Sequence, residues 1–204
     1  MPQCDVKTVF ESIEACPGKV NLPGIRRRMY YIPKADIVTF PKLPKVGATG
    51  VNMAGLAKYA GDFVLAEDKY FKFMDLKDEA SNVTFGTEGE NGSKIVKNTA
   101  NAILAGMDDE LKGFAREVLN TDMVYVYQQR DGKFCVIGNE MFASHTAPEG
   151  DTGAEATAAT TTTYVIECYD ECPVPTYEGI LPLSATTQMN CETGEEEAVP
   201  DPGE

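Results

Sequence analysis

The segment Cys168-Tyr-Asp-Glu-Cys172 comes nearest to a metal-binding or redox motif. On a strand, positions four apart share a face but lie roughly 13 Å apart, too far to ligate one ion unless the chain turns at Pro173. A closed zinc site takes four ligands, and no second Cys/His pair stands at usable spacing. The two thiols therefore read as structural, and a disulfide between them would bend the strand. His145, the one histidine, lies in FASHTAPEG, a loop signature. Catalysis would need an acid or nucleophile positioned beside it, and no spacing singles one out, so His145 reads as a surface residue. Gly86, Gly89 and Gly92 in GTEGENGSK lack the Lys-Ser/Thr pair and opening helix of a phosphate cradle. They carry Glu88 and Glu90 instead, which repel phosphate. No catalytic, cofactor-binding or metal-ligating set emerges. The expectation is a protein that is not an enzyme and needs no cofactor.

Arg26-Arg27-Arg28, followed by Met29-Tyr30-Tyr31, has the basic and aromatic make-up of a nucleic-acid patch. Charge over the whole chain argues otherwise. Its 204 residues carry a formal net charge of -14, which disfavours binding of duplex nucleic acid or anionic lipid by a basic face. The charge is unevenly spread: residues 1–45 hold a net +4 and the remainder −18. A cationic end on an anionic body makes a head-to-tail contact between copies self-complementary. The triplet is thus expected to meet the acidic body of another subunit, and Arg26, Arg27, Arg28, Tyr30, Tyr31, Glu88 and Glu90 are expected at contacts between subunits.

The elements that must carry these residues are mostly short strands. Pro17, Pro23, Pro33, Pro41 and Pro44 interrupt residues 1–45 too often for a helix. They suggest a basic, proline-rich N-terminal arm with β-prone pieces RRMYYI and ADIVTF. GDFVLAEDKYFKFMDL reads as strand with both faces partly apolar. SNVTFGTEGENGSKIVKNTANAIL reads as a long projecting hairpin turning at EGENGS. In 107–120, Met107, Leu111, Phe114, Ala115 and Val118 form one stripe of a 3.6-residue helix. Its first turn is crowded with carboxylates. MVYVYQQRDGKFCVIG then gives a hairpin around Asp131-Gly132, a favoured two-residue turn. SHTAPEGDTGAEATAATTTT is read as a mobile connection, TTYVIECYDECPVP as a strand, and residues 184–204 as an acidic disordered tail. The sum is a mainly β chain, a β-sandwich or barrel with one packed α-helix, long loops and an extended N-terminal arm. Its core spans 46–183.

Six cysteines (Cys4, Cys16, Cys135, Cys168, Cys172 and Cys191) are even in number. The chain is nevertheless long enough to build a core without staples, and its start has acids where an export signal needs an apolar run. Reduced thiols and synthesis in a cytoplasm are expected.

Several stretches together resemble the tail tube (major tail) proteins of tailed bacteriophages, especially those of Bacteroides-type gut bacteria. They are ACPGKVNLPGIRRRMYYIPKADIVTFPKLP, GDFVLAEDKYFKFMDL, LKGFAREVLNTDMVYVYQQRDGKFCVIG, and Gly150-Asp151-Thr152-Gly153-Ala154 followed by TYVIECYDECPVPTYEG. They cover roughly residues 15 to 180, and the order of elements carries the resemblance more than any one motif. It implies a virion structural protein made in the host cytoplasm and located in the tail. Its subunits would form hexameric rings stacked into a tube, with other tail proteins as partners and DNA as passing cargo. The basic triplet and the acidic tail map onto no family-wide role. Two other expectations stand beside it. One is a head–tail connector or terminator forming a single ring. The other is a monomeric β-sandwich binding module using Tyr30, Tyr31, Tyr125 and Tyr127 as an aromatic platform.

Overall fold

MVYVY and FCVI are apolar at every position rather than at alternate ones, and such strands need cover on both faces. The computed structural model, which describes residues 10–200, supplies that cover. Its central layer is a five-stranded antiparallel sheet in the order β11-β8-β7-β1-β4. The strands are β1 (Ile25–Pro33), β4 (Lys72–Asp75), β7 (Met123–Gln129), β8 (Phe134–Ile137) and β11 (Thr176–Tyr177).

One face packs on a four-stranded antiparallel sheet, β5-β6-β10-β9. This sheet comprises β5 (Asn82–Glu88), β6 (Ile95–Ala105), β9 (Ser144–Asp151) and β10 (Thr161–Asp170). Met29, Met123, Tyr125, Tyr127 and Ile137 of the first sheet meet Ala100, Ala102, Leu104, Tyr164 and Ile166 of the second in one core. The opposite face holds Tyr30, Ile32, Val124, Val126, Phe134 and Val136. Tyr177 of β11 shares that face, which is covered by Phe63 and Phe71 and by the small sheet β12 (Ile180–Pro182), β13 (Thr187–Asn190) and β14 (Glu195–Ala198). A two-stranded ladder, β2 (Ile37–Thr39) with β3 (Val64–Leu65), adds Ile37 and Leu65 to the same side. The fold is mainly β, a sandwich with one helix.

That helix, α1 (Asp109–Val118), is the one α-helix among the described residues and is shorter than the 107–120 expected. Asp108 is extended and caps it, its Oδ1 accepting from the Leu111 N–H at 3.0 Å. Leu111, Phe114 and Ala115 pack on the first core, and Val118 is buried. Phe114 meets Tyr164 edge-on at 5.1 Å and Tyr31 at 4.8 Å, so the helix closes one end of the sandwich across both sheets.

Several expectations are corrected. Residues 25–33 are no arm: β1 lies between β7 and β4 in the central sheet, because Met29, Tyr30 and Ile32 supply apolar contacts to both of its faces. Residues 10–24 contain no strand or helix and are exposed, whereas 1–9, with Cys4, and 201–204 lie outside the described residues. SHTAPEGD is strand β9 rather than connection. Its small polar residues point inward because they find partners there: Ser144 Oγ accepts from the Met123 N–H at 2.9 Å, and Thr146 Oγ1 lies 2.7 Å from the Tyr125 hydroxyl.

Residues 184–198 are not a disordered tail. Met189 and Cys191 are buried in the second core, Asn190 Oδ1 accepts from the Glu192 and Thr193 N–H groups, and the glutamates of β14 face solvent. The β7–β8 hairpin turns through three residues, not two. Gly132 takes a left-handed φ of 100°, and the Gln129 N–H donates to the Lys133 carbonyl at 2.8 Å.

Candidate assembly interface

Strand β1 runs in register with β7 from Met29↔Tyr127 to Pro33↔Met123, but the next match is Ile25↔Gln129. Four steps on β1 thus oppose two on β7, and the slack forms a bulge that holds the arginine triplet. Arg26 and Arg27 are both exposed. Arg28 is committed inside the molecule. It lies opposite Asp75 on β4, with Nε 3.0 Å from Asp75 Oδ1, its Nη1 is 3.6 Å from Glu196, and its guanidinium stands 3.9 Å over the Phe73 ring. The Asp75 hydrogen bond foremost raises its pKa further. The expectation that Arg28 offers a free charge to a neighbour is therefore corrected.

Arg130, in the β7–β8 turn, stands beside Arg26 and Arg27 instead. Leu22, Ile25, Arg26, Arg27, Asp78 and Arg130 line one shallow cleft of about 420 Å³. Arg130 Nη2 is 4.0 Å from Asp78, and its Nε is buried with no acceptor among the described residues. Sequence reasoning passed over Arg130 because the turn signal Asp-Gly beside it absorbed the segment. The sign that would have found it is a cation at a hairpin end beside a bulged strand.

Tyr30 and Tyr31 are not exposed rings. Tyr30 is 3% exposed within the second core, and burial raises the pKa of its phenol. Tyr31 is half-buried against Phe114. With Tyr125 and Tyr127 also buried, the aromatic platform of the binding-module expectation does not exist.

Glu88 and Glu90 stand where the β5–β6 hairpin projects past the core, a stretch in which even Phe85 is 61% exposed. The Tyr169 hydroxyl donates to Glu88 at 2.5 Å, and Lys97 Nζ lies 3.8 Å away. Glu90 makes no ion pair among the described residues. The start of β5 flanks the arginine cleft: Ser81 O lies 4.0 Å from where a Gly24 Cβ would stand, and Arg130 Nε 3.6 Å from it. Six further residues at about 3.4 Å each carry Glu88 roughly 20 Å from there. The cationic cleft and the acidic tip are therefore at opposite ends of one strand.

The sheet β5-β6-β10-β9 buries one face and leaves the other open. Its open rows read Thr84, Thr99, Glu167, His145 and Asn82, Asn101, Val165, Ala147, with Ile103, Thr163, Glu149 and Thr161, Asp151 beyond. Lys97 is its one lysine, held 2.9 Å from Glu167, which foremost raises its pKa. Glu88, Glu149, Asp151 and Glu167 leave this face acidic. Both outer edges, β5 and β9, pair with no further strand among the described residues. Pro148, which has no N–H, is the type of residue an edge strand tolerates.

His145 is exposed on β9 opposite Glu167, a strand position rather than a loop. Cys168 and Cys172 are free and buried, and burial pushes both thiols up to about 11, so they are protonated and unreactive at neutral pH. Among the described residues no cluster of His, Cys, Asp or Glu has the arrangement to hold a metal ion. Asp170, 2% exposed between these thiols in sequence, accepts from the Cys172 N–H through Oδ1 and has an unpartnered Oδ2. Burial foremost raises its pKa.

No helix among the described residues is long and apolar enough to cross a membrane. No protein-family model matches the chain, and neither a curated protein nor a solved structure matches it.

Proposed function

We propose that the chain is a subunit of a phage tail tube, a virion structural protein whose copies form rings, hexameric by the family resemblance, stacked into a conduit for DNA. One observation carries the reading: a four-stranded antiparallel sheet, packed on one face, ends at two edges, of seven and eight residues, that pair with no further strand among the described residues. Unpaired edge N–H and C=O groups are templates for a neighbour's strand, and closing such sheets into a ring removes the edges altogether. In that arrangement the open acidic face lines a lumen. A negative wall repels the phosphate backbone, so DNA slides through as cargo and is not held as a ligand.

Electron microscopy of the purified full chain, concentrated at low and moderate ionic strength, tests the reading. Tubes support it. Lone rings that never stack assign the chain to a connector or terminator instead. Monodisperse single copies under all conditions overturn it.

A further inference from the structure

We infer that Arg26, Arg27 and Arg130 form a carboxylate-binding cleft whose occupant is the acidic hairpin tip of a second copy, led by Glu90, with Glu88, already bonded to its own Tyr169, beside it. This rests on the assembly reading above and specifies how one ring would grip the next.

Three guanidinium groups share the cleft wall with one acid, Asp78, whose ion pair with Arg130 is long at 4.0 Å. In a chain of net charge -14, such a local excess of cations needs a partner. Arginine forks match carboxylates in paired hydrogen bonds, which is more selective than a lysine point charge. The β1 bulge turns Arg26 and Arg27 out of the ladder and leaves both exposed.

The occupant follows from the same strand geometry. The hairpin tip lies about 20 Å from the cleft at the far end of β5, so it cannot fold back into its own molecule's cleft. Gly89 and Gly92 adopt left-handed φ values of 97° and 91°, which keeps the tip narrow between its carboxylates. Cleft at one end and tip at the other make a heterologous contact, which builds an open stack wherever successive rotations do not close it into a ring.

Sedimentation velocity with the full chain tests this by charge exchange. R26E/R27E and E88K/E90K should each keep the wild-type circular dichroism spectrum, because all four side chains are exposed, and each alone should self-associate roughly tenfold or more weakly. An equimolar mixture should recover assembly, since each variant's cleft then meets a tip of opposite sign. R26E/R27E assembling as the wild type does would overturn the cleft while leaving the tube reading intact. Lost assembly that the mixture fails to restore would overturn the assigned occupant. A wild-type chain that stays monomeric would remove the assembly reading itself, and this contact with it.

Discussion

The Tyr125 hydroxyl and Thr146 Oγ1 lie 2.7 Å apart, buried between the two sheets, so that the central sheet is tied by a polar bond to the edge strand β9. Either oxygen left alone is a buried polar atom without its partner. Tyr125→Phe should destabilise the protein by about 1–3 kcal/mol, and Thr146→Val by a similar amount. The double replacement should cost about as much as one alone, because it leaves no polar group unpaired. Urea unfolding of the four proteins measures the coupling.

Arg28 and Arg26 should part company in stability. Arg28→Ala loses the Asp75 ion pair and the Phe73 contact, both solvent-screened, for about 1 kcal/mol in all. Arg26→Ala should leave stability within about 0.5 kcal/mol. Chemical denaturation at low and high salt should show the difference shrinking as salt screens the Arg28 pair.

Asp170 gives the fold a pH dependence of stated sign. Its pKa is higher folded than unfolded, so folding is favoured when it is protonated. That stability is lost as pH rises from the ordinary carboxylate value of 3.8 through the folded value. Asp170→Asn removes the buried charge. It should melt higher than wild type at neutral pH, and the gap should close below about pH 3, where the carboxyl is neutral in both the folded and unfolded states. Thermal melts at the two pH values decide the matter.

The described cysteines should divide cleanly. Cys16 is exposed, whereas Cys135, Cys168, Cys172 and Cys191 are buried. Burial pushes the Cys135 thiol to about 11, like Cys168 and Cys172, and raises that of Cys191. Alkylation at about pH 8 followed by mass mapping should modify Cys16 and spare the other four until the protein is unfolded.

Gly138 follows β8 with φ at 113°, and a Cβ there would stand 2.9 Å from the Met123 carbonyl oxygen. Gly138→Ala combines a left-handed strain with a clash against backbone, and should cost about 1–3 kcal/mol in thermal or chemical unfolding.

Periodicity and turn chemistry were enough to find α1, the β5–β6 and β7–β8 hairpins and the long strand β10. Each of these has a strong local signal. What escaped is what tertiary partners decide. Ser144 and Thr146 look like loop residues until Met123 and Tyr125 are beside them. Thr187-Gln-Met189-Asn-Cys191 alternates as a strand should, but the run of glutamates after it hid the signal. The prolines of the N-terminal segment flank β1, and only Pro33, its last residue, lies within it, so proline spacing suggested an arm where a central strand lies. Charge and turn type were enough to place Glu88 and Glu90 at an exposed hairpin tip. The commitment of Arg28 to Asp75 was not legible, because 47 residues separate the pair in the chain.

The slack in β1 separates what the molecule must keep from what it can change. Positions 26 and 27 have no register partner in β7, so Met29 stays opposite Tyr127 whatever side chains stand at the bulge. Charge can therefore be rewritten at those two positions with the scaffold held constant, so the contact proposed for them is free to diverge while the fold beneath it stays the same.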